Sequence, residues 1–136
     1  MTDAITDLDT LLSSMAPALD PRVFVFTTVS EEAIVTVAPH ATMLFREAEA
    51  LTAIVEQGTA NDMGLAATFP CRMITLHVHS ALDAVGFLAA LLPRLADYGM
   101  GVNPVSAYHH DHLFVPEHRA EDALSILQDL SVSTRR

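Results

Sequence analysis

Apolar positions recur along the chain with the two spacings that separate helices from strands. Near the end of the chain one face at the helical period consists of Ala120, Ala123, Leu124, Leu127 and Leu130. Over residues 73–79, in contrast, alternation places Ile74, Leu76 and Val78 on one apolar face and Met73, Thr75, His77 and His79 on the other, which is the pattern of a strand with one buried face. The chain therefore combines amphipathic helices with half-buried strands.

The same patterns, read along the whole chain, predict eleven elements. Runs of β-branched and aromatic residues predict strands over residues 23–28, 43–47, 51–56, 73–79, 102–108 and 112–115. A hydroxyl followed by an acid, which can cap a helix start, predicts helices over residues 7–15, from Ser30 to before Pro39, from Thr59 to Gly64 and from Ser80 to Tyr98. A further helix is predicted over residues 119–130.

In this order of elements the series β-α-β-β-α occurs twice. It is the split-βαβ series of ferredoxin-like folds, so the fold class is α/β (α+β), with two ferredoxin-like units whose antiparallel sheets are covered by helices. We expect an N-terminal unit over residues 1–66, including the first helix, and a C-terminal unit over residues 67–136. The six predicted strands are too few for two complete units. Either the units share strands, or another copy of the chain completes a sheet edge in a homodimer.

Composition limits what the protein can contact. The chain has 136 residues, 51% of them hydrophobic, and a formal net charge of −10, which excludes disorder and argues against nucleic acids and anionic membrane surfaces as partners. The acidic start does not resemble a signal peptide, and a single cysteine, Cys71, excludes an internal disulfide. We therefore expect a cytoplasmic protein.

The first candidate site is the predicted helix start at Ser80. The leading N–H groups of a helix lack intrahelical partners and suit a carboxylate, and Gly86 would let a ligand or backbone approach closely. In the simpler interpretation, Ser80 and Asp83 only cap the helix and Gly86 serves packing.

Histidine is the second candidate, because six of the seven histidines lie between residues 77 and 118. The first and third strands of a split-βαβ unit are neighbours, so His77 and His79 are expected to face His110, Asp111 and His112. Such a group would suit zinc or a similar divalent ion. Alternatively, these histidines bond only to backbone or water and give the protein a pH response near neutrality. Motifs of nucleophilic catalysis, phosphate binding or dinucleotide binding do not occur.

Three segments resemble ACT domains, which are small ferredoxin-like modules that bind amino acids. They are residues 80–88 (SALDAVGFL), 95–103 (LADYGMGVN) and 108–116 (YHHDHLFVP), and the last is similar to short bacterial tandem-ACT proteins related to the CASTOR type. The resemblance implies that Gly86 is the close-packing glycine of the motif. It departs from the family where an acidic-Gly turn would precede the helix, because Gly86 falls inside the predicted helix.

The resemblance implies a regulatory module that binds an amino acid or similar metabolite, uses no cofactor and controls a separate, unknown protein. The residues expected near the ligand are Ser80, Leu82, Asp83, Val85, Gly86, Asn103, His110 and Asp111. Two alternatives stay open. One is a metal-dependent enzyme built on His77, His79, His110 and His112, and the other is an interaction module without a ligand.

Overall fold

The structure is a computed structural model that describes residues 4–135. Residues 1–3, at the start of the predicted N-terminal unit, and Arg136, at the end of the predicted C-terminal unit, lie outside the described residues. The helices are α1 (Leu8–Ser14), α2 (Ile34–Val37), α3 (Gln57–Met63), α4 (Phe87–Ala96) and α5 (Ala120–Arg135). The strands are β1 (Pro17–Leu19), β2 (Phe24–Val29), β3 (Ala41–Arg46), β4 (Leu51–Glu56), β5 (Thr68–Leu76), β6 (Asn103–Ser106) and β7 (Asp111–Pro116).

The chain divides into two compact units. The continuous unit is Arg22–Cys71, and the composite unit joins the described residues up to Pro21 with those from Arg72 onward. Helix α1 therefore packs with the C-terminal half of the chain, mainly against α5, although the sequence groups it with the N-terminal half. The division at residues 66 and 67 stays a prediction about the limits of the two sequence units.

The continuous unit has the strand order β3-β4-β2-β5. Strands β2 and β4 pair antiparallel from Phe24 opposite Glu56 to Val29 opposite Leu51. Alternate residues of these strands point to one face, so Val25, Ala53 and Val55 join Val37 of α2 and Ala60 of α3 in one buried core. This is the ferredoxin-like arrangement expected from the sequence.

The composite unit repeats that arrangement with the order β1-β5-β7-β6. Its core consists of alternate residues of β5 and β7 and the apolar faces of the helices, namely Ile74, Leu76, Leu113, Val115, Leu91, Leu95, Leu11, Met15, Ala123 and Leu127. The apolar face that the sequence predicts for residues 73–79 is confirmed, since Ile74, Leu76 and Val78 are all buried.

Strand β5 explains why the sequence predicted too few strands. Its first residues pair with β2, from Thr68 opposite Phe26 to Cys71 opposite Phe24, while Ile74–Leu76 pair with β1. The strand thus ends the continuous unit and begins the sheet of the composite unit. Strand β1, which the sequence analysis missed, supplies the fourth strand of the composite sheet, so the shared-strand interpretation is the correct one within the described chain.

Several helix boundaries differ from the prediction. Asp7, not Thr6, caps α1, because its carboxylate accepts the backbone N–H of Thr10 at 3.0 Å. Helix α3 begins at Gln57, before Thr59, but ends at Gly64 as predicted, with φ at 65°. Helix α5 continues past Leu130 to Arg135. None of the described helices combines the length and apolar character that a membrane-crossing segment requires.

The largest correction concerns the helix predicted from Ser80. Helix α4 begins only at Phe87, and Ser80 instead forms a bridge with Ile5. Gly86 is therefore the N-cap residue, with φ at 92°, a left-handed conformation that side chains rarely adopt. The departure from the family pattern at Gly86 is thus smaller than the sequence suggested, because this glycine precedes the helix and does not lie inside it.

Replacing Gly86 tests this conformation. A Cβ at residue 86 would lie 3.6 Å from Leu8 Cδ2, an ordinary contact, so the penalty of Gly86→Ala comes from φ alone. We expect a loss of about 1–2 kcal/mol in the free energy of unfolding, measured by urea denaturation. Gly58→Ala, in α3 and with open space around it, is the matched control and should be neutral or stabilising by up to about 1 kcal/mol. Equal effects of the two substitutions would contradict the assignment of Gly86 as a left-handed cap.

Candidate functional site

A cavity of about 180 Å³ lies in the composite unit, at the start of α4. Three segments form it: the loop that follows β5, the first turn of α4 and the hairpin between β6 and β7. The lining residues are Ser80, Ala81, Leu82, Ala84, Gly86, Phe87, Leu88, Ala89, Ser106, Ala107, His110 and Asp111.

The loop after β5 is held by backbone bonds to the segment before α1. Ile5 donates its N–H to the carbonyl of His79 at 2.7 Å, and Ala81 donates to the carbonyl of Ile5 at 2.9 Å. The N–H of Ser80 bonds to Val78 and that of Ala84 to Ala81. These amide groups are used inside the protein, so they are not the open donors that the sequence suggested at Ser80.

Open donors lie instead at the first turn of α4. The first helical bond of α4 runs from the N–H of Ala90 to the carbonyl of Gly86, at 2.9 Å, and no described side chain caps the helix. The N–H groups of Phe87, Leu88 and Ala89 therefore precede the intrahelical ladder. All three residues line the cavity, and the positive end of the helix dipole favours an anionic group there.

Asp111 gives the same cavity a negative group. Only 8% of this residue is exposed, and its Oδ1 accepts a hydrogen bond from Ser106 Oγ at 2.6 Å. An ionised carboxylate can accept about four hydrogen bonds, so this single bond leaves it capacity for a cationic donor. The cavity therefore combines an anion-favouring helix start with a cation-favouring carboxylate.

The structure brings five of the eight predicted ligand residues to this cavity: Ser80, Leu82, Gly86, His110 and Asp111. The other three, Asp83, Val85 and Asn103, are exposed and do not line it. Sequence reasoning did not select Ser106, Phe87 or Ala107. The signal for Ser106 was its position on the hairpin that also carries His110 and Asp111.

Histidines from the same segments meet beside the cavity. The histidine cluster consists of His77 and His79 after β5 and of His109, His110 and His112 on the β6–β7 hairpin. Ring centroids are 5.3 Å apart for His77 and His110, 5.5 Å for His79 and His109, and 6.3 Å for His110 and His112. The expected approach of these strands is thus observed, and His110 belongs to both the cluster and the cavity.

Two members of the histidine cluster are held towards the neutral form. Burial lowers the pKa of His110, and nearby His77, His109 and His79 lower it further, while Asp111 acts in the opposite direction. Burial likewise lowers the pKa of His112, and its neighbour His110 adds to this effect. Thr75 Oγ1 lies 3.0 Å from His112 Nδ1, which fixes the orientation of that ring.

The histidine cluster was also a candidate for holding a metal ion. Across residues 4–135, no group of three or more His, Cys, Asp or Glu side chains is arranged to hold a metal ion. The described arrangement of these side chains therefore gives no support to the alternative of a metal-dependent enzyme on His77, His79, His110 and His112.

The remaining reactive side chains have structural surroundings. Cys71 is buried, and its Sγ lies 3.4 Å from the carbonyl oxygen of Phe24. Arg46, one of the few basic residues, forms an ion pair with Glu31 at 2.7 Å on the surface of the continuous unit.

Comparison with known proteins identifies the two repeats. A family model described as ACT domain matches residues 3–72, and a second one of the same description matches residues 68–129. A search of curated proteins finds no match.

Solved structures agree with this assignment. A protein of unknown function from Vibrio cholerae, described as a possible transport protein, is 36% identical, covers 91% of this chain and 95% of its own, and has a TM-score of 0.80. A protein from Agrobacterium tumefaciens, 18% identical with a TM-score of 0.71 over 85% of this chain and 87% of its own, has the same fold.

The regulatory subunit of aspartate kinase from Thermus thermophilus, in a ligand-free form, also shares the fold. It is 12% identical, with a TM-score of 0.62 over 86% of this chain and 97% of its own. With both halves matched by ACT models and a 36% identical relative matched over most of its length, the chain belongs to the ACT-domain family of small-molecule-binding regulatory modules.

Proposed function

We propose that the composite unit binds an amino acid in the cavity at the start of α4. The ligand's carboxylate accepts hydrogen bonds from the N–H groups of Phe87, Leu88 and Ala89, and the ligand's ammonium group lies beside Asp111. The observation that carries this proposal is the presence of both an uncapped helix start and a buried carboxylate in one cavity. A zwitterion matches these two poles, whereas a simple anion or cation matches only one.

The size and walls of the cavity favour a small amino acid. Its volume of about 180 Å³ lies below the roughly 300–1,000 Å³ of drug-sized ligand pockets. Ala84, Phe87 and Leu88 give it apolar walls, which suit a short aliphatic side chain.

The eight residues predicted from the sequence fall into two groups under this proposal. Ser80, Leu82, Gly86, His110 and Asp111 line the cavity and are proposed as the ligand-contacting set. Asp83 and Val85 belong to the loop that leads into α4, and Asn103 begins β6. We propose them as outer residues that would contact only a larger ligand.

Regulation requires a second protein that responds to the bound state. We propose a separate regulated partner in the cytoplasm, and the ACT-domain matches over residues 3–72 and 68–129 support a regulatory role for the chain. The ligand can act on this partner only through different affinities for two arrangements of the module. The loop of residues 81–86 is a reasonable site for such a difference, since Leu82 and Val85 are 71% and 83% exposed.

We further propose that the module is a homodimer joined at β3. This strand ends the sheet order of the continuous unit and carries Phe45, which is 62% exposed. Such an edge is open to pairing with a second copy. The edge strands of the composite unit, β1 and β6, are shorter than β3, and each contains a proline, Pro17 and Pro104, which removes a backbone donor.

A thermal-shift screen of the twenty common amino acids tests the ligand class. A ligand at 100 times its Kd should stabilise the chain by about 2.7 kcal/mol. We expect small aliphatic amino acids to give the largest increases in melting temperature. If none of the twenty raises it, the interaction-module alternative without a ligand is favoured.

Substitutions at the carboxylate of Asp111 and at the first turn of α4 test the binding mode. Asp111→Asn keeps the acceptor for Ser106 but removes the charge, so it should weaken binding of the best ligand from the screen by about 10–100-fold in calorimetric titration. Ala89→Leu fills the cavity from an exposed position of α4 and should also abolish binding. Asp97→Asn, at the other end of α4 and exposed, is the control and should bind as the unmodified chain does. Unchanged binding by both Asp111→Asn and Ala89→Leu would place the ligand elsewhere.

The dimer is tested by sedimentation. Phe45→Glu places a charge on the β3 edge and should shift the chain from dimer to monomer. Tyr98→Glu, at a residue of similar exposure, 61%, should leave the sedimentation coefficient unchanged. A monomeric unmodified chain at micromolar concentration would contradict the proposal.

A further inference from the structure

Among the residues that the structure describes, the histidine cluster is a large group of titratable side chains of which the proposed ligand site uses only His110. Its rings come from two segments that also form the cavity, and His110 lines the cavity next to Asp111. Imidazoles this close together cannot all become charged without mutual repulsion. Imidazoles exchange protons in the pH range around neutrality.

We propose that the histidine cluster makes ligand binding in the cavity depend on pH, because protonation of His110 and its neighbours weakens the hold of Asp111 on the ligand's ammonium group. This inference rests on the proposed function and adds a regulator to the same site. Near neutral pH, His110 and His112 are held towards the neutral form, and Asp111 is available to the ligand. In acid the imidazolium groups compete with the ammonium group for that carboxylate.

The charges around His110 support this direction from every segment packed against it. His77 and His79 after β5, and His109 on the hairpin, all disfavour a proton on His110, and Asp111 on β7 favours one. The first turn of α4, on the cavity wall, adds the positive end of a helix dipole. Asp111 is thus the nearby anion for which the imidazolium groups and the ligand compete.

Linkage fixes the sign of the effect. If protons weaken ligand binding, the bound ligand must lower proton affinity by the same factor. The lowered pKa values of His110 and His112 also mean that their contribution to folding stability is present above the ordinary histidine pKa of about 6.5 and is lost as pH falls through the folded-state values. Ligand affinity and the stability of the composite unit should therefore decrease together on acidification.

The first experiment uses the full chain without ligand. Histidine ring signals are followed by NMR between about pH 8 and pH 5, in the folded chain and in the chain unfolded in urea. We expect His110 and His112 to titrate at lower pH when folded. His77→Gln removes one neighbouring charge and should move the His110 titration to higher pH. His118→Gln, an exposed residue outside the histidine cluster, should not. Identical titrations of His110 in the unmodified chain and in His77→Gln would overturn the proposal.

The second experiment measures binding of alanine and of lactate, which replaces the ammonium group by a hydroxyl. Chemical-shift titration of the cavity residues gives both affinities at about pH 7.5 and about pH 5.5. We expect alanine binding to weaken about five- to tenfold in acid, within the usual range of coupling between sites. Lactate binding should not weaken, because the carboxylate that it shares with alanine is attracted by the imidazolium groups.

The outcomes separate this inference from the proposed function. If alanine binds equally well at both pH values, the pH coupling is wrong and the ligand site stands. If neither alanine nor lactate perturbs the cavity signals at either pH, and no amino acid stabilises the chain, the ligand site is wrong and the coupling fails with it. If lactate weakens as much as alanine, acid acts through the fold and not through the competition for Asp111, which also overturns the proposal.

Discussion

The need to pair the backbone of β5 determines most of this structure. A central strand must satisfy its N–H and C=O groups on both sides. Strand β5 pairs with β2 along its first residues and with β1 along its last, and β7 is its further neighbour in the sheet. Because β1 comes from the start of the chain, α1 is drawn into the composite unit ahead of it. The segment before α1 then bonds to the loop after β5, where Ile5 pairs with Ser80. The loop amides are thereby occupied, and α4 begins only after a left-handed turn at Gly86.

These backbone constraints explain why one cavity contains both an uncapped helix start and a carboxylate. If a capping hydroxyl began the helix at Ser80, the first amide groups would be satisfied by the chain itself. A glycine in a left-handed conformation has no side chain to offer, so the N–H groups of the first turn of α4 stay open towards the cavity. The hairpin after β6 places Asp111 at the same cavity and anchors it through Ser106. The partial positive charge of the helix start and the carboxylate of Asp111 thus come from two successive parts of the chain, α4 and the β6–β7 hairpin.

The pattern of apolar residues was sufficient to predict elements whose own residues determine which face is buried. Strand β4 occupies the predicted residues because Leu51, Ala53 and Val55 alternate into one core, and the fold class followed from the element order. The sequence failed where a distant segment decides the outcome. Strand β1 is three residues long and begins with a proline, so it is too short to show the alternation of apolar and polar residues that predicts a strand. Ser80 and Asp83 have the pattern of a helix cap, but the backbone on either side of Ser80 is hydrogen-bonded to Ile5, which is distant in the sequence. The glycine was a usable signal, since a glycine inside a helix is unfavourable by about 1 kcal/mol and is better placed at its end.

The sequence predicts that the histidines come close together, because they lie on neighbouring strands. It does not predict whether they bind a metal ion or only protons. Neighbouring first and third strands require His77 and His110 to approach, and they do. Whether such imidazoles share a metal or repel one another depends on ring orientation, which a sequence pattern does not contain. In the structure His77 and His110 meet edge to face, with ring planes at 67°, and burial holds His110 and His112 towards the neutral form. An acidic chain with a formal charge of −10 otherwise favours protonated histidine, so keeping these rings neutral requires their burial and mutual repulsion. The two rings therefore lie in the environment that the proposed coupling to acid requires, beside the cavity that Asp111 lines.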